Sequence, residues 1–173
     1  MIAIALIVLA SLVIWLVLLF GRAYFWLMRE RDDAPLREPR RWPPVAAIVP
    51  ARDEADAIVR SIGSLLAQDY PGPFRVILVD DQSGDDTALK ARTLADERLD
   101  VVLGMAHPAG WTGKLFAIAQ GVARAGDEPD YLLLTDADIA HAPDNLRRLV
   151  ARAEEGRYAL VSLMAKLHCE TFA

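Results

Sequence analysis

Three apolar runs of this sequence each end in a short polar segment that contains aspartate. The segments are Pro50-Ala-Arg-Asp-Glu54, Asp80-Asp-Gln-Ser-Gly84 and Thr135-Asp-Ala-Asp138. If the runs are parallel strands, the three segments meet at one edge of a sheet, which is where open α/β folds bind their ligands. We therefore expect an acidic ligand site at that edge.

Asp136 and Asp138 stand one residue apart, and their carboxylates offer the oxygen ligands that Mg²⁺ or Mn²⁺ takes together with substrate phosphates. An isolated pair of this kind is more often a turn or a helix cap, and Asp80 and Asp81 also suit a turn before a helix. However, several carboxylates gathered without a cation or a donor-rich ligand repel one another. The combination favours a divalent metal site at Asp136 and Asp138.

The segment Gly104–Lys114 is long and rich in glycine, and two interpretations of it stay open. It is either a loop over the ligand, with Lys114 near a diphosphate at a helix N-terminus, or a surface loop with a solvated lysine. It is not a Walker A loop, because Leu115 follows the lysine where that motif has Ser or Thr. His107 and His141 are typical of solvated loop histidines.

The elements that must position these residues follow from the hydrophobic pattern. Short β-rich runs alternate with helical patterns, which predicts an α/β fold with a mainly parallel sheet flanked by helices. The predicted strands are Val45–Val49, Arg75–Val79, Leu99–Leu103, Tyr131–Leu134 and Tyr158–Leu163. The predicted helices are Ala55–Ala67, Asp85–Ala95, Leu115–Ala125 and Pro143–Glu155.

The N-terminal run Ile2–Phe20 is apolar or small except for Ser11, and it is long enough to span a bilayer as one helix. A cleaved signal peptide would need a basic segment before the run, and no Lys or Arg precedes it. We therefore predict a transmembrane anchor over residues 1–27, with Tyr24, Phe25 and Trp26 at the interface. The arginines after it place the rest of the chain on the cytoplasmic side of the inner membrane, although a solvated linker also explains them. These arginines are Arg22, Arg29, Arg31, Arg37, Arg40 and Arg41.

The anchor is followed by a basic, proline-rich linker over residues 28–44 and then by a globular part over residues 45–173. The length of 173 residues fits one domain plus a leader. The net charge of −5 argues against a nucleic-acid partner. The single cysteine, Cys169, excludes an internal disulfide and fits a reducing cytosol.

Four motifs in order resemble those of family 2 glycosyltransferases, which have the GT-A fold. They are Pro50-Ala-Arg-Asp-Glu54, Val79-Asp-Asp-Gln-Ser-Gly-Asp-Asp-Thr87, Gly110-Trp-Thr-Gly-Lys114, and Thr135-Asp-Ala-Asp138 followed by Pro143-Asp-Asn-Leu146. With the N-terminal helix and the arginine linker, the chain is most similar to the hopanoid-biosynthesis-associated glycosyltransferases of bacteria.

The resemblance implies a membrane-anchored, inverting enzyme that uses a nucleotide sugar, with UDP as the expected nucleotide and a lipid as the expected acceptor. The implied nucleotide pocket contains Pro50, Arg52 and Glu54. Asp81, helped by Asp80, would hold the uracil or ribose, while Asp138 with Asp136 would bind Mg²⁺ or Mn²⁺. Lys114 would lie near the diphosphate.

In the family the acceptor hydroxyl loses its proton to a further carboxylate, a general-base step, and we expect that carboxylate to lie beyond Ala173. The chain would then be a front half that binds the donor without turnover, or a non-catalytic nucleotide-binding module. A sugar-phosphate nucleotidyltransferase is a second alternative. An NAD-binding domain fits poorly, because no glycine-rich turn follows the first strand.

Overall fold

The computed structural model describes residues 2–21, 35 and 37–164, and the chain divides into two units, Met1–Pro35 and Leu36–Ala173. In the first unit, helix α1 covers Ile2–Leu16 and continues as a π-helical turn over Val17–Gly21. The 20 residues Ile2–Gly21 are long and apolar enough to cross a membrane by length and composition, criteria that a signal sequence also meets. The predicted apolar N-terminal helix is confirmed. The expected aromatic belt at Tyr24–Trp26, the arginines Arg22, Arg29 and Arg31, and Cys169 lie outside the described residues.

The second unit alternates strands and helices along its described length. The strands are β1 (Val45–Ala51), β2 (Phe74–Asp80), β3 (Leu99–Leu103) and β4 (Tyr131–Leu134). The helices are α2 (Ile58–Leu66), α3 (Thr87–Arg92), α4 (Gly113–Ala125) and α5 (Asn145–Gly156). Four of the five predicted strands and all four predicted helices are therefore present, with their ends shifted by up to three residues.

The four strands form one parallel sheet in the order β3-β2-β1-β4. Val45 at the start of β1 is level with Phe74 of β2 and with Tyr131 of β4. All seven residues of β1 are buried, as expected of a central parallel strand covered on both faces. The parallel α/β fold predicted from the sequence is confirmed, and it brings the ends of β1, β2 and β4 to one edge.

Helices cover both faces of this sheet because successive side chains of a strand point to opposite faces. Alternate residues of β1, such as Ala47 and Val49, pack in a core with Ile58 and Ile62 of α2. Ile48 of β1 faces α4 instead. Full burial of an Ile or Leu side chain contributes about 1.5–3 kcal/mol each, so these two clusters supply much of the stability that fixes the strand ends.

The predicted fifth strand, Tyr158–Leu163, is wrong: within residues 37–164 the sheet ends at β4. After α5, Arg157 adopts a left-handed conformation with φ of 51° and ψ of 43°. The Tyr158 N–H then bonds back to the Ala153 carbonyl at 2.9 Å. The apolar alternation that favoured a strand is real, but it forms a strand only where a neighbouring strand supplies ladder hydrogen bonds.

The chain packs onto the domain before β1 begins. The ring of Trp42 meets that of Tyr70 edge-on at 5.4 Å, and the Tyr70 hydroxyl donates a 2.6 Å hydrogen bond to the Pro43 carbonyl. The Arg147 guanidinium lies 5.9 Å from the centre of the Trp42 ring. The last residues of the proline-rich segment thus behave as part of the domain, because Trp42 buries apolar surface that composition alone assigned to a linker.

Candidate functional site

The segments after β1 and β2 are bonded to each other. The Asp53 N–H donates to the Ser83 hydroxyl at 3.0 Å, and the Gly84 N–H donates back to Asp53 Oδ1 at 2.7 Å. The Glu54 N–H donates to the Thr87 hydroxyl at 2.8 Å. Because each loop supplies donors and acceptors to the other, the carboxyl ends of the two strands form one fixed wall.

This wall borders a cavity of about 380 Å³ at the carboxyl edge of the sheet. The cavity is lined by Pro50, Ala51, Arg52, Glu54, Asp81, Gly113, Lys114, Asp136, Ala137 and Asp138. The structure therefore brings together every predicted site residue except Asp80. The Asp80 carboxylate instead accepts hydrogen bonds from the N–H and hydroxyl groups of Ser83, so it shapes the turn beside the cavity.

Asp81 is the buried acid of the cavity, with 4% of its surface exposed. Among the described residues, its Oδ1 has no hydrogen-bond partner. A guanidinium nitrogen of Arg52, which is largely exposed, lies 3.8 Å from the other oxygen, Oδ2. A buried acceptor without a partner is unfavourable by about 1–3 kcal/mol, so Oδ1 is suited to a ligand that brings an N–H or O–H group.

Gly113 at the start of α4 closes one side of Asp81. A Cβ atom at this glycine would stand 2.4 Å from Asp81 Oδ2, far inside van der Waals contact. The helix N-terminus can approach the carboxylate this closely because residue 113 has no side chain. The Thr112 side chain makes no capping hydrogen bond, so the first N–H groups of α4 remain available to an anion.

The opposite wall is acidic and more exposed. Asp136 and Asp138 follow β4, and Lys114 Nζ lies 2.6 Å from Asp136 Oδ1. Burial, followed by the nearby charge of Asp138, raises the pKa of Glu54, and Asp85, Asp136 and Asp53 add to the effect. Asp136 and Asp138 on this wall and Glu54 on the other thus bring three carboxylates to one cavity, and a cation among them would stabilise all three.

Among the described residues, no group of three or more Asp, Glu, His or Cys side chains is arranged to hold a metal ion. Asp136 and Asp138 nevertheless fit a cation that is held by only one or two carboxylates. Mg²⁺ and Mn²⁺ prefer oxygen donors, and in phosphoryl-binding sites substrate phosphates and water complete the shell.

A family model described as Glycosyl transferase family 2 matches residues 46–171. The chain belongs to this family. Its motifs and its acidic cavity lie within the matched range, as does its parallel sheet apart from Val45.

Several curated family relatives are similar over the same region. The succinoglycan biosynthesis protein ExoO of Rhizobium meliloti is 34% identical over 112 residues, 65% of this chain and 30% of the relative. An N-acetylglucosaminyltransferase of Mesorhizobium japonicum is 32% identical over 127 residues, 71% of this chain and 28% of the relative. An undecaprenyl-phosphate 4-deoxy-4-formamido-L-arabinose transferase of Salmonella paratyphi A is 27% identical over 131 residues, 72% of this chain and 36% of the relative. The chain thus spans about a third of each relative's length.

Two solved structures show the same fold. The mannosyltransferase PcManGT of Pyrobaculum calidifontis, in complex with GDP-Man and Mn²⁺, superimposes with a TM-score of 0.63 and 28% identity over 87% of this chain and 43% of that protein. TarS residues 1–349 of S. aureus, in complex with UDP-GlcNAc, gives a TM-score of 0.52 and 25% identity over 66% of this chain and 32% of that protein. The GT-A fold expected for a family 2 chain is confirmed.

The structure also shows site residues of this family 2 chain that the sequence did not reveal. On α2, the Ser61 hydroxyl donates to the Ile139 carbonyl at 2.8 Å. Just after α2, the Gln68 side-chain amide donates to the Ala142 carbonyl at 2.7 Å and accepts the Leu146 N–H at 2.8 Å. These buried polar groups hold the loop that follows Asp138. The sequence pattern that could have identified them was a polar residue every three or four positions on the otherwise apolar face of α2.

His141 belongs to the same loop, and its predicted solvation is wrong. Its ring is about half buried, with Nε2 3.0 Å from the Thr135 hydroxyl and Nδ1 2.8 Å from the Asn145 amide nitrogen. Burial lowers the pKa of His141, which keeps the ring neutral. Sequence periodicity could not show that the loop folds back over the end of β4. His107, by contrast, is exposed as expected.

A larger recess of about 840 Å³ lies at the start of β4, at the opposite edge of the sheet. Its charged lining residues include Arg41, Asp130, Glu154 and Arg157. The Tyr131 hydroxyl already donates to Glu154 there at 2.7 Å. The recess lies at the amino ends of the strands, away from the family motifs, so the smaller cavity is the candidate site.

Proposed function

We propose that this chain binds a nucleotide sugar together with Mg²⁺ or Mn²⁺ in the 380 Å³ cavity, as the donor-binding part of a glycosyltransferase. The nucleotide lies against the wall formed by Pro50, Arg52, Glu54 and Asp81. The diphosphate lies toward α4 and the Asp136 and Asp138 carboxylates.

The observation that carries this proposal is the buried, unpartnered Oδ1 of Asp81. A nucleobase or ribose offers the N–H or O–H donors that this acceptor lacks, whereas a purely anionic ligand would be repelled. The cavity thus combines an acceptor for the nucleoside with separate groups for the diphosphate, a pattern that suits a nucleotide better than a free sugar.

The diphosphate end rests on two features of α4 and β4. The N–H groups of the first turn of α4, with Lys114 beside them, favour an anion. Asp136 and Asp138 would hold the divalent cation, which neutralises charge on the departing nucleoside diphosphate. The metal bound in the mannosyltransferase PcManGT complex supports this assignment.

We propose UDP as the nucleotide, as the sequence motifs suggest. The similar structures contain GDP-Man in one case and UDP-GlcNAc in the other, so they support a nucleotide sugar in general. A lipid acceptor is supported by the relatives that are undecaprenyl-phosphate sugar transferases. The apolar helix Ile2–Gly21 would anchor the domain at the inner membrane on its cytoplasmic side. A role in hopanoid biosynthesis rests on the sequence resemblance alone.

We also propose an inverting mechanism in which none of the cavity carboxylates is the general base. Asp136 and Asp138 would be occupied by the cation, and Glu54 and Asp81 would face the nucleoside, so all four would lie on the donor side. Loss of a general base costs about 10²- to 10⁴-fold in rate. We therefore propose that the cavity carboxylates bind the donor and do not take the proton from the acceptor. Transfer from UDP-glucose or UDP-N-acetylglucosamine whose pH dependence was abolished by substitution of one of these carboxylates, with donor binding unchanged, would contradict this.

The binding proposal is tested by calorimetry on the full chain in detergent micelles. UDP, UDP-sugars, GDP-mannose and NAD are titrated with and without Mn²⁺. We expect binding of a nucleoside diphosphate or its sugar that strengthens with Mn²⁺ and weakens by at least about tenfold in Asp81→Asn, since a charge-assisted hydrogen bond contributes about 1.5–3 kcal/mol. Asp127→Asn, at an exposed residue after α4, is the matched control. Binding of NAD alone, or of none of these ligands, would overturn the proposal.

A further inference from the structure

Lys114 is proposed to bind the diphosphate, but its ammonium group contacts the carboxylate of Asp136. Its ammonium nitrogen lies 2.6 Å from Asp136 Oδ1, and the two side chains are 59% and 55% exposed. Asp136 is one of the two carboxylates proposed to hold the cation. The lysine ammonium therefore lies where the proposed cation would bind.

A lysine ammonium and a divalent cation cannot share one carboxylate oxygen in this way. Both need the same lone pairs at short distance, and their like charges repel each other. A cation that binds Asp136 Oδ1 therefore competes with Lys114 for that oxygen, and the repulsion between the two positive charges favours departure of the lysine.

The surrounding structure allows the side chain to leave without moving its helix. Lys114 is the second residue of α4, and the start of that helix is fixed by the close approach of Gly113 to Asp81. The lysine stem is flexible and more than half exposed, so its charge can swing away while the backbone stays in place. An anion bound at the N-terminus of α4, such as the diphosphate, would give the released ammonium a new partner.

We infer that Lys114 exchanges partners during donor binding, from the Asp136 carboxylate in the free protein to the diphosphate in the complex. This inference rests on the proposed nucleotide and cation site. It makes the cation a poor ligand alone and a good one with nucleotide, because the diphosphate removes its competitor. The affinities for cation and nucleotide are then coupled, each ligand raising the affinity for the other.

If Lys114 exchanges partners in this way, one substitution should raise the affinity for Mn²⁺ alone and lower the affinity for UDP. Lys114→Gln should raise the affinity for Mn²⁺ alone by about two- to fivefold, the amount that an exposed ion pair contributes. The same change should lower the affinity for UDP at saturating Mn²⁺ by about tenfold or more, because a charge-assisted bond to phosphate is lost.

Arg124→Gln is the matched control. Arg124 lies near the other end of α4, is similarly exposed, and makes an ion pair with Asp100 at the same 2.6 Å. The substitution Arg124→Gln therefore removes one positive charge from the same helix and leaves the residues that line the cavity unchanged. A second variant, Lys114→Arg, retains the charge and should leave the affinity for Mn²⁺ alone close to that of the parent.

The experiment measures free Mn²⁺ by electron paramagnetic resonance during titration of the full chain in detergent, and UDP binding by calorimetry. Tighter Mn²⁺ binding with weaker UDP binding in Lys114→Gln supports the exchange. Mn²⁺ binding by Lys114→Gln that equals that of Arg124→Gln, or is undetectable in both, overturns it. If the parent binds UDP with Mn²⁺ in that case, only the exchange fails, whereas a parent that binds no nucleotide overturns the proposed function itself.

Discussion

The backbone N–H of His141 donates a 2.9 Å hydrogen bond to the hydroxyl of Ser64. This bond joins the loop after β4 to α2, on the side of the sheet away from α4. The Ser64 hydroxyl in turn donates to the Ser61 carbonyl at 2.7 Å. The segment that begins with Asp136 and Asp138 is thus held by polar groups of α2 as well as by the burial of Ala137 in the core.

The Gln68 side chain makes two hydrogen bonds in this connection, and its replacement tests how much the connection contributes to stability. In Gln68→Leu the Leu146 N–H loses its partner, and the Ala142 carbonyl keeps only the hydrogen bond from the Asn145 N–H. A buried unpaired group costs about 1–3 kcal/mol, so the free energy of unfolding should fall by roughly that amount. Urea denaturation followed by tryptophan fluorescence measures this loss.

Gln120→Leu is the control for the Gln68 variant. Gln120 accepts the Met105 N–H at 2.8 Å in an exposed setting, where water can replace the side chain. The same chemical change should therefore cost less than about 1 kcal/mol. An equal decrease in the free energy of unfolding in the two variants would show that the buried hydrogen bonds of Gln68 contribute no more than an exposed hydrogen bond.

The free energy of unfolding should depend on pH because of the buried His141 ring. Burial lowers the pKa of its ring in the folded protein below the ordinary value of 6.5. As pH falls below about 6.5, the unfolded chain takes up a proton that the folded chain does not, so the free energy of unfolding decreases. Above that pH the contribution is fully present. The difference in unfolding free energy between the parent and His141→Gln, measured from about pH 8 to about pH 5, should shrink on acidification. A difference that stays constant or grows would contradict the burial of a neutral ring.

Gly113→Ala tests the close approach of α4 to Asp81. The added Cβ would lie 2.4 Å from Asp81 Oδ2, so the carboxylate or the helix must shift. Nucleotide binding should weaken by about tenfold or more, because an error of about 1 Å in position can cost a site that much. Gly63→Ala is the control, since a Cβ at that glycine of α2 meets nothing within 4 Å. That variant should bind normally and gain up to about 1 kcal/mol in stability. Normal binding by Gly113→Ala would show that the contact is not needed.

The sequence predicted the fold because its two main signals are local. The β-rich runs and the helical periodicity are properties of short segments, and the parallel order places their carboxyl ends together. The joint position of Arg52, Asp81 and Asp136 around one cavity followed from that topology alone.

The remaining features depend on contacts between distant segments, which periodicity does not encode. The bond from Ser61 to Ile139 spans 78 residues, and the ion pair between Lys114 and Asp136 joins the start of α4 to the loop after β4. The predicted strand at Tyr158–Leu163 failed for the same reason, because a strand requires a partner as well as a pattern. The resemblance implied that Asp80 helps Asp81 to hold the nucleoside, and it could not show that the Asp80 carboxylate also accepts a hydrogen bond from the Ser83 hydroxyl.

Mn²⁺-dependent UDP binding by the parent and by Asp138→Asn tests the central claim most directly. If the cation bridges Asp138 and the diphosphate, the parent should bind UDP at least about tenfold more tightly with Mn²⁺ than with a chelator, since metal ligation supplies several kcal/mol. Asp138→Asn should lose that gain and keep the weak affinity measured without metal, with unchanged urea denaturation because Asp138 is exposed. Equal Mn²⁺-dependent affinity in the parent and in Asp138→Asn, or no effect of Mn²⁺ on the parent, would contradict a nucleotide and cation site in this cavity.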